Sequence, residues 1–413
     1  MYKLYVAPNL KKYAACRKAV NLCLALLALF SSPLAFALDE SETDKLTIEP
    51  MGRVTYKSEV VNQENFDHNA NAQVFDLRLG VRLGFRKFSV LLEGEAVVDT
   101  KLGDFNSKTN SKTLWPVVAD PESEEINQAW ARYENELFAL KLGRQKMDLV
   151  NGRFIGSARH RLNEQTYDAI RATIKPVDFF ALDYVFVDEV HTPLGDDSPK
   201  GDITGNTHLL AATFSASNKH KLSGYSYLIE SPQVPINSLR IFGTRYEGVK
   251  RFGELNTKIS VEYAHQTDYK NNPAHVGLDY LALEAKLKLK LFDLKAGYAK
   301  LEGDGEAGFQ TPYGRKHGFQ GLADQFTKTP KNGVIDHYLT FILPLNVKAG
   351  SIDLSYHKFK ADIHGDAYGA EFDLRGRATI WRSMKIEAAV AYFSGKNSMP
   401  DVTKFWLIAK WPF

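Results

Sequence analysis

The chain has very little cysteine. Its only two, Cys16 and Cys23, both fall in the first 37 residues. Everything after them is thiol-free, which excludes a disulfide framework, a thiolate metal centre and a cysteine nucleophile there. Beyond that segment no uncharged apolar run reaches the roughly 20 residues a membrane helix needs. Pro/Ser-rich hinges, charge blocks and low-complexity tracts are missing too, so no internal domain boundary is indicated. Catalytic signatures are equally absent. There is no Gly-x-Ser-x-Gly elbow, no His-Glu-x-x-His pair and no phosphate-cradling glycine loop. The eleven histidines show no ligand spacing. Acid pairs such as Asp196-Asp197 read as solvated loop charge rather than a calcium cage of six to eight oxygens. No cofactor, no metal and no enzymatic activity are expected.

The first 37 residues carry Lys3, Lys11, Lys12, Arg17 and Lys18, then an apolar run over 21–30 and the small-residue ending Ala35-Phe36-Ala37. This is the three-part pattern of a cleaved export signal, so residues 38–413 are expected to form the mature, single-domain protein. The formal net charge of +3 then comes from the discarded part. The remainder is slightly acidic, and no nucleic-acid partner is implied.

What is present is alternation. Phe75, Leu77, Leu79, Val81, Leu83 and Phe85 interleave with Asp76, Arg78, Gly80, Arg82, Gly84 and Arg86. A strand sends successive side chains to opposite faces, so one face is oily and the other ionic. Similar stretches recur to the end of the chain, about eighteen in all, near the 9–11 residues of a tilted membrane strand. They include 45–58, 87–99, 126–134, 138–145, 347–358, 368–378, 385–393 and 403–413. Connections alternate between tight turns, as at Arg86-Lys87, and long polar loops, as at 100–124, 146–164 and 303–333. Sorted turns and loops with dyad alternation predict an all-β, antiparallel, up-and-down transmembrane barrel with short periplasmic turns and long extracellular loops. A barrel is also the only way for such a chain to cross a bilayer. A transporter with a plug domain and roughly 22 strands does not fit this length.

The ionic side predicts the lumen. It supplies Arg78, Arg82, Arg132, Arg171, Lys288, Arg375 and Arg377, with Glu93 and Asp373 among its acids. Rows of basic and acidic groups across a water-filled gap either select anions or pair locally, Arg377 with Asp373 for example, and only keep the pore wet; the planar guanidinium fork suits carboxylates. An anion-conducting channel is the leading expectation. A rim enzyme of lipase or protease type, or a plugged adhesin, is the alternative.

Two sets of motifs carry a family likeness. The first runs Leu142-Gly143-Arg144-Gln145, then Asn151-Gly152-Arg153-Phe154-Ile155-Gly156, then Gln165-Thr166-Tyr167-Asp168. The second runs Thr311-Pro312-Tyr313-Gly314, then His317-Gly318-Phe319-Gln320-Gly321-Leu322-Ala323-Asp324, then Thr329-Pro330, Gly333 and Asp336. Together with the alternating aromatic last strand ending on Phe413, they resemble the alginate-export porin family. The resemblance implies an outer-membrane barrel of about eighteen strands and an arginine-rich lumen. It also implies passive movement of anionic solutes or a uronate-type polysaccharide. It places Arg78, Arg132, Arg171, Arg375 and Arg377 in the family's basic lining. Arg144, Gln145, Arg153, Asp168, Asp324 and Asp336 are its motif residues, the two last serving either substrate or loop capping. The implied surroundings are outer-membrane lipid and lipopolysaccharide, with the barrel-assembly machinery reading Phe413. No strand face suggests a subunit interface, so the chain reads as a monomer.

Overall fold

A computed structural model describes residues 45–252 and 255–413; the expected export signal lies outside the described residues. Eighteen strands follow one another along the chain. They are β1 (Thr47–Gln63), β2 (Ala70–Phe85), β3 (Phe88–Asp99), β4 (Ser123–Glu134), β5 (Phe138–Gln145) and β6 (Thr166–Val177). Next come β7 (Phe180–His191), β8 (Asp202–Ser217), β9 (His220–Ile229), β10 (Leu239–Phe252), β11 (Leu255–Asp268) and β12 (Gly277–Lys288). The last are β13 (Asp293–Leu301), β14 (Val334–Pro344), β15 (Ser351–Lys360), β16 (Ala367–Thr379), β17 (Lys385–Gly395) and β18 (Val402–Pro412). Every strand is antiparallel to its chain neighbour, and β1 also pairs with β18, so the sheet closes without an edge. No helix among the described residues is long and apolar enough to cross a membrane; the crossing is made by strands.

The sidedness of the strands identifies the solvent outside them. In β2, Phe75, Leu77 and Leu79 are 43%, 41% and 55% exposed, whereas Asp76 and Arg78 between them are 1% exposed. A water-soluble sheet does the reverse. Greasy side chains outside and charges enclosed are stable only where lipid surrounds the wall. Aromatics mark the short-turn rim: Trp411 lies 5.7 Å from Trp381 and 6.4 Å from Phe413, ring centroid to centroid, and all three remain exposed, as an interfacial girdle requires. At the closure, Gly52 and Phe413 exchange backbone hydrogen bonds of 2.9 Å. The Phe413 ring lies where any Cβ on Gly52 would stand.

The outer half of the interior is not open. Segments 100–122, 146–165 and 302–333 fold inward and bring their own apolar residues. Phe105 and Val118, Met147, Phe154 and Ile155, and Phe309, Tyr313 and Phe326 are all buried. They pack on wall residues that face inward, among them Val74, Tyr225, Tyr280 and Phe359. Burying a large apolar side chain contributes about 1.5–3 kcal/mol, so these segments are held as a core inside the barrel.

Several boundaries differ from the sequence reading. β1 runs on to Gln63 and β2 starts at Ala70, because that polar stretch still pairs: Val61 sits opposite Ala70. The turn after β14 is longer than expected, with Leu345–Gly350 outside the strands. Of the motif residues, Leu142–Gln145 end β5 and Asp336 lies in β14, both within expected strands, while Thr166–Asp168 open β6.

Candidate functional site: a cationic lumen

The two inward segments that bear the family motifs meet. Ile155 and Tyr313 form a parallel bridge. The Gly156 N–H donates to Tyr313 O, and the Arg315 N–H donates to Gly152 O, each at 2.9 Å. The Gln165 amide donates to both Gly156 O and Tyr313 O at 2.8 Å, and the Tyr167 hydroxyl donates to Gly156 O at 2.8 Å. Close backbone approach explains the glycines. A side chain on Gly152 or Gly156 would run into Arg315, and Gly152 has a φ of +75°. Arg153 is buried with its guanidinium 4.6 Å from the Phe319 ring and 5.4 Å from the Tyr280 ring. Asp324 receives His317 Nδ1 at 3.0 Å, with Arg161 and Lys404 at 3.6 and 3.7 Å. Burial opposes the Asp324 charge, but His317, Lys404 and Arg161 outweigh it and hold the carboxyl below its usual range.

A cavity of about 1100 Å³ runs beside this plug. Its lining reaches from outer-loop residues Thr192, Lys200 and Asn237 to Ala349 and Lys385 at the opposite, short-turn rim. One water path therefore touches both mouths. Ten Lys and Arg residues line it against two carboxylates, Asp324 and Glu387. Both acids are engaged, Asp324 as above and Glu387 by the Trp406 indole at 3.0 Å. Lys108, Lys200, Lys316 and Lys385 have no carboxylate within ion-pair distance among the described residues. Burial, with Lys108 and Arg153 nearby, pushes the Lys316 ammonium down to about 8. Cations thus outnumber acids in the lining, while carboxylates behind it hold several of them: Asp148 pairs with Arg159 and Arg315, and Asp353 with Arg375 and Arg377.

Of the residues expected to line the lumen, Arg375, Arg377 and Asp373 border the open space. Arg375 and Arg377 share one acceptor, Asp353 Oδ2, at 2.9 and 2.8 Å. Arg78 also faces inward but is enclosed by Glu164 at 2.9 Å, Glu95 at 3.0 Å and Asp76 at 3.2 Å. It is a buried ion-pair centre that fastens segment 146–165 to the wall. Glu93 accepts from Asn127 at 2.7 Å and Gln128 at 3.1 Å. Arg132 pairs with Glu134 at 2.6 Å, Arg171 with Asp183 at 2.8 Å and Arg82 loosely with Glu49 at 3.9 Å. Lys288, the last residue of β12, is exposed. Arg144 grips Asp168 with two nitrogens at 3.0 and 3.1 Å, and His191 joins them at 3.0 Å. Gln145 donates to Gly143 O and Ala169 O, and Asp336 accepts from His357 at 3.0 Å. These last are wall contacts.

Apart from Lys385 in β17 and Lys410 in β18, the lining cations that sequence reasoning missed are in the loops, Arg159, Arg161, Arg315 and Lys316 among them. Their signal was legible as two basic clusters around a histidine, Arg159-His160-Arg161 and Arg315-Lys316-His317. The two imidazoles stack face to face with centroids 3.5 Å apart, over the edge of Trp406. With Asp324 they make a compact group of metal-ligand types. Parallel rings cannot aim both lone pairs at one ion, however, and Lys57 Nζ stands 3.5 Å from His160 Nε2. Among the described residues no Ser or Thr hydroxyl is hydrogen-bonded to a histidine.

Comparison with known proteins agrees with this geometry. A family model described as alginate export matches residues 81–257, which takes in the first motif set. No curated protein sequence matches the chain. Among solved structures, Acinetobacter baumannii OccAB4 superposes with a TM-score of 0.68 at 11% identity, over 91% of this chain and all of that one. Pseudomonas aeruginosa OpdL gives 0.66 at 15% identity, over 89% and 98%. OpdK from the same organism, solved with vanillate, gives 0.67 at 12% identity, over 88% and 98%. The fold is that of outer-membrane porins, and the resemblance to the alginate-export family holds. The chain is a barrel of the bacterial outer membrane.

Proposed function

We propose that the barrel is a passive channel for anionic solutes, carboxylates above all, including short uronate-type chains. The carrying observation is the single cavity that touches both mouths with ten cationic side chains against two acids already engaged. Guanidinium groups recognise carboxylates through paired N–H bonds, and Arg159, Arg161, Arg315, Arg375 and Arg377 offer five along one path. A relative solved with vanillate, itself a carboxylate, supports the same class. Movement through such a path needs no reacting group, so the chain is a conduit rather than an enzyme. It works as a single barrel among lipid and lipopolysaccharide, assembled through its Phe413 end. The test is the reversal potential of purified barrels in a planar bilayer under a salt gradient, with and without a uronate oligomer. Anion preference and block by the oligomer are expected. Cation preference, or a closed barrel at all voltages, would refute the reading.

A further inference from the structure

The lumen is divided. A second cavity of about 400 Å³ lies behind the first, and the two share only Arg315, Gly318, Phe319, Arg375 and Arg377 as lining. Between them stands a short tongue. Lys316, His317 and Asp324 face the larger cavity, Gln320, Gly321 and Leu322 face the smaller one, and Gly318 and Phe319 face both.

The tongue is anchored at both ends and at several points between them. Before it, Tyr313 and Arg315 are bonded to segment 146–165. After it, Phe326 packs on Phe359, Tyr368 and Phe393, with ring centroids 4.6–6.0 Å apart. Within it, Gly318, Gly321 and Asp324 all have positive φ, +79°, +72° and +60°. A side chain at Gly318 would meet nothing closer than Leu322 at 3.7 Å. The middle is held by the His160–His317 stack, by Asp324, by the Arg153–Phe319 contact, by burial of Leu322 and Ala323, and by one carboxylate on the wall. Glu371 Oε1 accepts the N–H groups of Leu322 at 2.5 Å and Ala323 at 2.8 Å.

That carboxylate is an unusual fastener. Glu371 is fully buried, has no cationic partner among the described residues, and its Oε2 has no hydrogen-bond partner. Asp373 beside it is also buried with one oxygen unpartnered. Burying a carboxylate without a counter-ion is costly, and lifting the tongue would let water reach both acids. The closed arrangement gains two backbone hydrogen bonds at the Glu371 carboxyl and loses the hydration of two neighbouring acids. Opposing terms of similar size make an element with two accessible positions.

We propose that residues 316–324 form a movable partition latched on Glu371, with Phe319 at its tip setting the width of the pore. Latched, solutes use the larger cavity alone. Released, the tongue joins the two cavities, of about 1100 and 400 Å³, so that it governs which sizes pass. The experiment is single-channel recording of the full barrel in potassium chloride, with polyethylene glycols of graded size as exclusion probes. Wild-type barrels should show a main level with visits to a larger one. Glu371→Ala should make the larger level dominant and raise the exclusion size. Glu371→Gln, whose carbonyl still accepts both N–H groups, should behave as wild type. Should the alanine variant fail to assemble, Gly321→Ala places a Cβ against the Glu371 carboxylate and should give the same shift. Phe319→Ala should leave only the larger level. Unchanged levels and exclusion size in these variants, or identical behaviour of the alanine and glutamine variants, would overturn the proposal. The readout is width, not ion preference, so it fails or holds independently of the anion reading.

Discussion

Arg375 and Arg377 offer the most direct test of the lumen field, because one carboxylate holds both. Asp353 is 5% exposed in its side chain and takes both guanidiniums on Oδ2. Replacing both arginines with serine removes two positive charges from the wall of both cavities. Each acts on a permeating anion passing at about 5 Å with roughly 0.8 kcal/mol in bulk water. Screening over a Debye length of about 10 Å at 0.1 M salt reduces this to roughly 0.5 kcal/mol. At 1.4 kcal/mol per factor of ten, two such charges change the anion's permeability about fivefold, and the cation's about as much in the opposite direction. The reversal potential in a potassium chloride gradient should shift accordingly toward the cation side. Asp353→Asn makes the opposite prediction. It removes one negative charge and frees both guanidiniums, so the anion's permeability should rise about twofold. The effect of either change should shrink at 1 M salt, where the Debye length is about 3 Å. If the double serine variant keeps its selectivity, or Asp353→Asn lowers it, the field is set elsewhere and the reasoning fails.

Other expectations follow from the same contacts. Lys316 is held down to about 8 by burial and by Lys108 and Arg153, so it is charged below that pH and neutral above it. Anion preference should therefore fall as the bath pH rises through about 8, and Lys316→Met should abolish that step. Arg78→Met should act first on stability. It abandons Asp76, Glu95 and Glu164 in a buried site, a loss of about 3–5 kcal/mol for a broken buried pair, read as a lower temperature for the heat-induced gel shift. Glu164 is opposed by burial, but Arg78, Lys146 and Arg53 outweigh it and hold its carboxyl at about 2. Since this lies below the unfolded value, its contribution is complete above about pH 4.5 and fades as pH falls toward 2. Conductance noise from a loosened segment 146–165 should emerge only in that acid window. Deleting Phe413, whose ring covers Gly52, should lower the yield of folded barrel in the membrane more than its single-channel conductance.

The wall was legible in the sequence because its signal is local. A period of two needs only a strand's own residues, so the alternation from Phe75 to Phe85 announced both the element and its two environments. Turns such as Arg86-Lys87, where Arg86 takes a φ of +52°, then fixed the order of strands, and pairing each strand with the next left one topology. The lumen was less legible for the same reason. Whether an inward arginine meets water depends on what folds over it. Arg78 and Arg375 carry the same pattern in their own strands, yet Arg78 is sealed by Glu164 from a segment 86 residues downstream in the chain, while Arg375 borders open space. No periodicity marks a loop that turns inward.

The sharper sequence clue was the one that alternation does not explain. An exterior loop has no reason to carry Phe154, Ile155, Tyr313, Leu322 and Phe326, since solvated loops gain nothing from large apolar groups. In a barrel whose outside is lipid and whose inside is wet, apolar residues in the longest loops have one place to be satisfied, against each other within the wall. The cations carried beside them, at Arg159, Arg161, Arg315 and Lys316, are brought inward by that packing. The apolar loop core thus decides the position of the charges, and the charges decide what can pass. Replacing Phe154 with Ala should accordingly weaken selectivity although the residue does not line the larger cavity. Its ring contacts Tyr225, Tyr280 and Phe309 with centroids 5.4–5.8 Å apart, and truncating a buried Phe costs about 3–5 kcal/mol. A Phe154→Ala barrel with unaltered reversal potential would show that the loop cations hold their places without the core beneath them.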